Sequence, residues 1–318
     1  MRILELATAA ASLAIAPELG GAIVRFAADG KPVLRPASDA ALDARDVRRT
    51  ACYPLVPYSN RIRNAELDFA GRRYQLERNF GTHPHAIHGV GWQRAWEVAE
   101  ASLVHARLTL HHDALGDNGR AWPWAFEATQ AFHLADVVSG EHRRSTSLVV
   151  TLTLKNTSGA AFPFGLGFHP FFPKATATRL CFDAERVWEN DATQLPRALV
   201  GVPPQWQFGR GRALDAIALD NVFTGWGRSA TLVDDARGTT VRIDADRALA
   251  YVVVYAPADA NVVAIEPVTH ETDAFNRSAA GATGTGMRVL PPGGAFSCTM
   301  RVKAAAAASL AASPDPVR

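Results

Sequence analysis

Short runs of β-type residues, bounded by Gly, Pro, Asn or Asp, recur along most of the 318-residue chain. The run at 147–154 changes to strict alternation of apolar and polar residues in its second half, as half-buried strands do. Strands at this spacing are typical of a sandwich or barrel, so the predicted fold class is all-β. The predicted strands are residues 22–27, 65–69, 73–76, 94–98, 103–111, 125–134, 147–154, 229–233, 239–244, 250–256, 262–265 and 295–302.

Helix signals are few. A short helix is predicted around residues 40–49, and the Ala-rich stretch 303–312 predicts another before Pro314 stops it. No Gly-rich phosphate loop joins a strand to a helix, and no repeat or low-complexity linker divides the chain. The simplest organisation is one β-sandwich domain over residues 1–302, followed by a C-terminal tail at 303–318.

The composition is that of a soluble globular protein, with 48% hydrophobic and 20% charged residues. The net charge of +2 without a long block of one sign indicates neither nucleic acid nor a membrane surface as partner. Cys52, Cys181 and Cys298 are far apart, so neither a disulfide framework nor a thiolate zinc site is indicated, and a reducing compartment fits best. No pattern indicates an oligomeric state.

The N-terminal residues 1–16 are apolar and end in Leu-Ala-Ile-Ala, which resembles an export cleavage site. Arg2 is the only basic residue there, and Glu5 interrupts the apolar run. We therefore expect a cytoplasmic protein, and a periplasmic form beginning near Pro17 would contradict this expectation.

Three clusters combine ionisable side chains with glycine, proline and aromatic residues. In the first, at 54–64, Arg61 follows Asn60 and carries a planar fork of donors suited to paired hydroxyls or an acidic group. The alternative for Arg61 is a solvated or salt-bridged surface residue, since charged groups are mostly exposed.

The second cluster, at 82–92, contains His83, His85 and His88. Three histidines within six residues suggest a metal site, but no nearby acidic or thiolate residue completes a ligand set, so we expect no metal. His88, in a loop with adjacent glycines, is the candidate for chemistry. Its alternative is a loop histidine that is exposed or hydrogen-bonded to backbone.

The third cluster is divided between His169 and Glu266. His169 lies among phenylalanine, glycine and proline residues, which predicts a constrained, partly apolar pocket that tunes its pKa. Glu266 ends an apolar run and precedes Pro267, as expected for a carboxylate at a strand end that faces a cleft. The alternative for each is a buried polar group satisfied by hydrogen bonds.

Taken in order, these motifs resemble those of the aldose 1-epimerase (galactose mutarotase) family, from residues 17–22 to 291–294. The resemblance implies a large antiparallel β-supersandwich of the galactose mutarotase type, with a sugar in an open cleft and no cofactor. The specific parts are Ser59-Asn60-Arg61-Ile62, Ile87-His88-Gly89, and the segments 165–172, 219–223 and 265–276.

The resemblance also implies roles for the matched residues. His169 would be the general acid at the ring oxygen, Glu266 the general base at the C1 hydroxyl, and His88 a residue that holds or polarises the ring oxygen. Arg61 and Asp220 would bind sugar hydroxyls, with Asn60 as a further substrate-binding residue. The 87–90 loop lacks the second adjacent glycine of many members.

Interconversion of anomers breaks and remakes the bond between C1 and the ring oxygen, with no redox change. One acid and one base suffice, and each proton transfer contributes ~10²–10⁴-fold. Protonated His169 with ionised Glu266 predicts a bell-shaped pH profile.

Three alternatives remain open at this point. A hexose-6-phosphate 1-epimerase would use Arg63, Arg72 and Arg73 as a phosphate clamp, although these are equally well explained as solvated charges. A non-catalytic sugar-binding sandwich would keep Arg61 and Asp220 alone. A glycoside hydrolase needs a second opposed carboxylate, which could be Asp220.

Overall fold

The structure, a computed structural model, describes residues 1–139, 143–215 and 217–306. The helices are α1 (Asp39–Asp43), α2 (Gly116–Ala121) and α3 (Ala274–Ala279), with short 3₁₀ turns at Val47–Arg49, Arg63–Ala65, Gly91–Gln93 and Pro204–Trp206. The strands are β1 (Leu4–Ala7), β2 (Ala11–Ala16), β3 (Ala22–Ala28), β4 (Lys31–Pro32), β5 (Cys52–Leu55), β6 (Arg61–Ile62), β7 (Glu66–Phe69), β8 (Arg72–Gln75), β9 (Ala86–Ile87), β10 (Glu97–Ala101), β11 (His105–His112), β12 (Phe126–Ser139), β13 (Arg143–Asn156), β14 (Phe162–Phe164), β15 (Gly167–Pro173), β16 (Arg179–Cys181), β17 (Arg186–Asn190), β18 (Pro196–Gly201), β19 (Arg212–Ala213), β20 (Leu219–Thr224), β21 (Ser229–Asp234), β22 (Thr239–Ala245), β23 (Tyr251–Ala256), β24 (Val262–Val268), β25 (Arg288–Leu290) and β26 (Ala295–Ala306).

Two large antiparallel sheets form the body of the protein. The first has the order β1-β2-β3-β5-β15-β24-β23-β20-β17-β18, with β4 added beside β3. The second has the order β10-β11-β12-β13-β26-β22-β21-β16-β19. One continuous apolar core contains side chains from both sheets, such as Phe26 and Val254 from the first and Phe132 and Met300 from the second. The predicted all-β supersandwich is confirmed.

The other face of the first sheet is also largely buried. On β23, Val252 and Val254 belong to the core between the sheets, whereas Tyr251 and Val253 belong to a second apolar cluster. This division follows from the period-2 alternation of side chains along a strand. Because both faces are covered, the central strands are mostly apolar, and a polar residue on the outer face is largely enclosed.

Most predicted strands agree with the structure, and the differences are the unpredicted N-terminal strands, the helix expected at 40–49 and the start of the strand predicted at 94–98. Residues 1–16, considered as a possible export signal, form β1 and β2, which pair with Leu6 opposite Leu13. The helix expected at 40–49 divides into α1 and the 3₁₀ turn Val47–Arg49, separated at Arg45, which has φ 50°. The strand predicted at 94–98 begins only at Glu97.

The helix predicted at 303–312 is wrong for residues 303–306, which are the part of it that the structure describes. Residues 303–306 continue β26, which pairs with both β13 and β22. These ladder hydrogen bonds outweigh the helix propensity of alanine, which is small per residue. Residues 307–318 lie outside the described part of the chain. Among the residues that the structure describes, no helix is long and apolar enough to cross a membrane.

Candidate active site

The strand register of the first sheet places the candidate residues on its outer face. β5 pairs with β15 so that Tyr53 lies opposite His169. The pairing of β15 with β24 joins Gly167 to Val268 and Phe171 to Ala264, so His169 falls beside Glu266. Alternation along each strand then turns these side chains toward the same face.

A cavity of about 550 Å³ opens on this face. Its size lies within the usual range for small-molecule sites, roughly 300–1,000 Å³. The structure brings together all six residues predicted for the site, and the cavity is lined by Asn60, Arg61, His88, His169, Asp220 and Glu266.

His169 and Glu266 are in direct contact at the base of the cavity, with Nε2 3.1 Å from Oε1 and both side chains buried. The His169 ring lies against two aromatic rings, with centroids 4.6 Å from Tyr53 and 4.4 Å from Phe171. These strand neighbours fix the orientation of the imidazole.

Burial dominates the acid–base properties of this pair. It lowers the pKa of His169 to about 3, and the charges of Arg35 and Arg61 act in the same direction. It raises the pKa of Glu266 well above its usual value, an effect that Asp220 strengthens and Arg61 opposes. Burial thus favours the neutral form of each group, which opposes the ion pair expected from the sequence.

His88 is held in one tautomer by the backbone. Its Nδ1 accepts a hydrogen bond of 3.0 Å from the Asn60 N–H, and burial lowers its pKa well below the usual value. A neutral imidazole that accepts at Nδ1 carries its proton on Nε2. The loop requires Gly89, which has φ 69°, because a Cβ there would lie 2.2 Å from the Val56 carbonyl oxygen.

Two further histidines hold the loop that carries Arg61. The Ser59 N–H donates to His270 Nε2 at 3.1 Å, and the Asn64 N–H donates to His85 Nδ1 at 2.9 Å. The His85 and His88 imidazoles of the 82–92 cluster therefore accept hydrogen bonds from backbone N–H groups. No group of three or more His, Cys, Asp or Glu side chains arranged to hold a metal ion occurs among the described residues.

Arg61 and Asp220 form a charged pair in the lining of the cavity. Arg61 Nη2 lies 3.2 Å from Asp220 Oδ2, and its Nη1 donates to Asn60 Oδ1 at 3.1 Å. The two charged side chains retain 13% and 26% of their exposure, so they are accessible while held in place. A fixed guanidinium and carboxylate supply donors and acceptors for neighbouring hydroxyl groups.

The sequence did not identify several residues that line the same cavity. Tyr53 and Arg35 are among them, and the Arg35 guanidinium lies 4.1 Å from the Phe171 ring centroid. Tyr53 lies opposite His169 in the pairing of β5 with β15, and this pairing cannot be read from the pattern of residues in the sequence. His270 does not line the cavity but accepts a hydrogen bond from the Ser59 N–H, and the sequence did not single it out either.

The arginines proposed as a phosphate clamp are not brought to the cavity. Arg73 pairs with Asp68 at 2.7 Å, and Arg63 lies 3.5 Å from the Asp273 carboxylate. Arg72 lies over the Tyr74 ring. None of the three lines the cavity that contains His169 and Glu266.

A large antiparallel supersandwich, with its polar cavity on the outer face of one sheet, defines a protein of the galactose mutarotase-like fold. The sequence model of the aldose 1-epimerase family matches residues 2–303. The chain belongs to the aldose 1-epimerase family.

A curated relative and two solved structures are similar to this chain over most of its length. The uncharacterized protein YphB of Escherichia coli K12 is 28% identical over 272 residues, which cover 82% of this chain and 86% of YphB. The crystal structure of an Escherichia coli K12 protein provisionally named an aldose 1-epimerase aligns with a TM-score of 0.83 at 25% identity, covering 96% of this chain and 99% of that one. A galactose mutarotase-like protein from Clostridium acetobutylicum shares the fold, with a TM-score of 0.81 at 18% identity and coverage of 95% and 94%.

Proposed function

We propose that this protein interconverts the α and β anomers of an aldose, with His169 and Glu266 as its acid/base pair. The contact of 3.1 Å between their side chains carries the proposal. The C1 hydroxyl and the ring oxygen are bonded to the same carbon, so an acid and a base that act on them together must be neighbours. A site that only bound sugar would not need this buried, coupled pair.

Ring opening requires one proton on the pair. Glu266 takes the proton of the C1 hydroxyl while protonated His169 gives one to the ring oxygen, and the C1–O bond breaks to leave an aldehyde. Rotation about C1–C2 and the reverse transfers close the ring on the opposite face. The opened state leaves protonated Glu266 and neutral His169, which is the distribution that burial favours.

The direct contact between the two groups has to open when the sugar enters. Sugar hydroxyls that hydrogen-bond to the Glu266 carboxylate would favour its charged form, and Arg61 acts in the same direction. Substrate binding would therefore move the shared proton to His169 and prepare the acid and base for their roles. This cycle returns every proton and calls for no redox cofactor.

His88 would donate its Nε2–H to the ring oxygen or to the hydroxyl that forms from it. Its low pKa keeps it neutral, so it polarises the oxygen without competing as the proton source. Arg61, Asp220 and Asn60 would bind the remaining hydroxyls, because their polar side chains line the same cavity as the acid/base pair.

A phosphorylated aldose is a second candidate substrate, favoured by one observation. Arg35, Arg48 and Arg49 line the cavity, although Arg48 already binds the Asp46 carboxylate through two nitrogens at 2.8 and 3.1 Å. Arg49 is 3.6 Å from the same carboxylate and 71% exposed. The more exposed Arg49 could bind a phosphate group.

We also propose a cytoplasmic location. The stretch that resembles an export signal contributes Leu13 and Ile15, both fully buried, to the apolar core. Cleavage after Ala16 would remove β1 and β2 and expose β3.

The proposal is tested by polarimetry on single anomers of glucose, galactose and other free aldoses, with the spontaneous rate subtracted. Hexose 6-phosphates and nitrophenyl glycosides are run beside them. We expect acceleration with at least one free aldose and no hydrolysis. Acceleration limited to phosphorylated sugars would select the second candidate, and acceleration with neither would refute the epimerase.

A further inference from the structure

The backbone at His88 has a conformation that is uncommon for a residue with a side chain. His88 has φ 61°, and Gly89, which follows it, has φ 69°. A non-glycine residue in this left-handed region is held there by its surroundings, and such residues cluster at functional sites. The chain turns here directly after β9, and the His88 side chain lines the proposed sugar cavity. The contacts that hold Ile87 and Gly89 therefore decide where the His88 imidazole lies.

One side chain binds both residues that flank His88. Asn79 Oδ1 accepts a hydrogen bond of 2.8 Å from the Ile87 N–H, and Asn79 Nδ2 donates to the Ile87 carbonyl oxygen at 2.7 Å. The same Nδ2 donates to the Gly89 carbonyl oxygen at 3.0 Å. An asparagine amide has one acceptor oxygen and two N–H donors, so these contacts use its oxygen and both donors.

The Asn79 amide occupies the place of a neighbouring strand beside Ile87. On one side of β9 lies β6, where Ile87 is opposite Arg61 and the His88 N–H donates to the Asn60 carbonyl oxygen at 2.9 Å. Backbone groups of successive residues in an antiparallel pair alternate between the two sides, so those of Ile87 point away from β6. There they exchange two hydrogen bonds with Asn79, and the 87–89 loop is held from both sides.

Asn79 is itself fixed and lies outside the proposed sugar cavity. Its carbonyl oxygen accepts a hydrogen bond of 2.9 Å from Gln93 Nε2, and its side chain is half-buried. Asn79 does not line the cavity that His88 lines. An effect of Asn79 on the reaction must therefore pass through the residues that it holds.

We propose that Asn79 is a positioning residue for His88. Its amide keeps the loop in the conformation that presents the His88 Nε2–H to the ring oxygen while the bond from C1 to that oxygen breaks. The inference rests on the proposed function and deepens it, because it assigns a role to a side chain that does not touch the sugar. The alternative is an amide that stabilises a loop and leaves catalysis unaffected.

Asn156 provides a matched control for that alternative. Its Oδ1 accepts a hydrogen bond of 2.8 Å from the Ser158 N–H, and its Nδ2 donates to the carbonyl oxygens of Ala160 and Leu290 at 2.8 and 2.9 Å. None of these four residues lines the proposed sugar cavity. Asn156→Ala therefore removes the same kinds of hydrogen bond as Asn79→Ala, away from the proposed reaction.

The kinetic test is a double-mutant cycle, followed by polarimetry on single anomers of the preferred aldose. Asn79→Ala should lower kcat about tenfold with KM changed less than about threefold, because a misplaced donor weakens binding of the transition state more than that of the sugar. In a His88→Ala background, Asn79→Ala should change kcat less than about twofold, since no imidazole remains to be placed. Asn156→Ala should leave kcat unchanged.

Asn79→Asp covers the case in which Asn79→Ala does not fold. The aspartate keeps the acceptor for the Ile87 N–H but loses both donors, so kcat should again fall only where His88 is present. Circular dichroism verifies that each variant is folded. An equal loss of kcat in both backgrounds, as expected if Asn79 acted through the neighbouring Phe80 or through the general stability of the fold, would overturn the inference. An unchanged kcat in the wild-type background would overturn it too.

A spectroscopic measurement separates this inference from the proposed reaction. In nitrogen-15 NMR of labelled histidine rings, the His88 signals are those that His88→Ala removes. The wild-type ring should show one state with its proton on Nε2, because the Asn60 N–H donates to Nδ1. Asn79→Ala should shift or broaden these signals, and Asn156→Ala should not.

The two failures then differ. Altered His88 signals in Asn79→Ala, in a protein that accelerates no aldose, would refute the epimerase and support the role of Asn79 in placing His88. Unchanged His88 signals would overturn that role alone and leave the proposed reaction intact.

Discussion

The buried acid/base pair makes a quantitative prediction about activity at low pH. With the pKa of His169 at about 3, the pair gains its second proton only in strong acid. At about pH 4, roughly nine-tenths of the molecules would still hold one proton on the pair. An exposed glutamate base with the ordinary pKa of about 4.3 would be ionised in only about a third of them at that pH.

The direction in which activity changes on each side of the pH profile follows from the number of protons that His169 and Glu266 hold together. A second proton protonates His169 while Glu266 is already protonated, which removes the base, so the acid limb falls near pH 3. Loss of the single proton removes the acid, and the raised pKa of Glu266 moves this limb to higher pH than an ordinary carboxyl would allow. The profile of kcat/KM, which reports the free enzyme, should therefore be a broad bell.

The assay is stopped-flow polarimetry after a pH jump, with the buffer rate subtracted at each pH. Rates must be measured in the first seconds, because protonation of buried imidazoles such as His270, whose pKa burial lowers to about 4, disfavours the fold in acid. Circular dichroism on the same time scale verifies that the protein remains folded. A kcat/KM at about pH 4 that is only a third of its plateau would refute the buried, one-proton pair.

Two substitutions test the surroundings of the pair. Gly165→Ala should cost about 1–3 kcal/mol in urea unfolding, because its Cβ would lie 1.7 Å from His270 Cδ2, whereas Gly159→Ala, with nothing within 4 Å, should change stability little. Equal stabilities of the two variants would contradict the close approach of the His270 ring to Gly165. Arg61→Ala should lower kcat/KM by about tenfold or more through loss of a charged hydrogen-bond donor and release of Asp220, and Arg61→Lys should recover only part of it. An unchanged kcat/KM would place the sugar elsewhere.

Residue chemistry singled out four of the six candidate side chains that line the cavity, namely Arg61, His88, His169 and Glu266, and the family resemblance placed them in one site. His169 stood out because an ionisable group among phenylalanines and glycines is unusual in a plain core strand, and Glu266 because a proline follows it at the end of an apolar run. The resemblance of the ordered motifs added Asp220, whose partner Arg61 lies 159 positions away in the chain.

Other features depend on long-range pairing, which leaves little trace in local sequence. The central strands β23 and β24 are buried on both faces, so the alternation that would reveal their register is lost. Glu271 is polar in sequence yet buried, because Trp188 and Arg277 donate hydrogen bonds to its carboxylate at 2.6 and 2.7 Å. Hydrogen bonding across the fold makes burial of such a polar residue possible, and the local sequence does not show these partners.

The catalytic rate of Glu266→Gln tests the central claim most directly. The amide is nearly the same size as the acid and can still donate a hydrogen bond to His169 Nε2, so the fold and sugar binding should be retained. The amide cannot remove the C1 proton, so we predict that kcat for the preferred aldose falls ~10²–10⁴-fold, with KM changed little. A folded Glu266→Gln protein that epimerises at the wild-type rate would contradict the assignment of His169 and Glu266 as the acid/base pair.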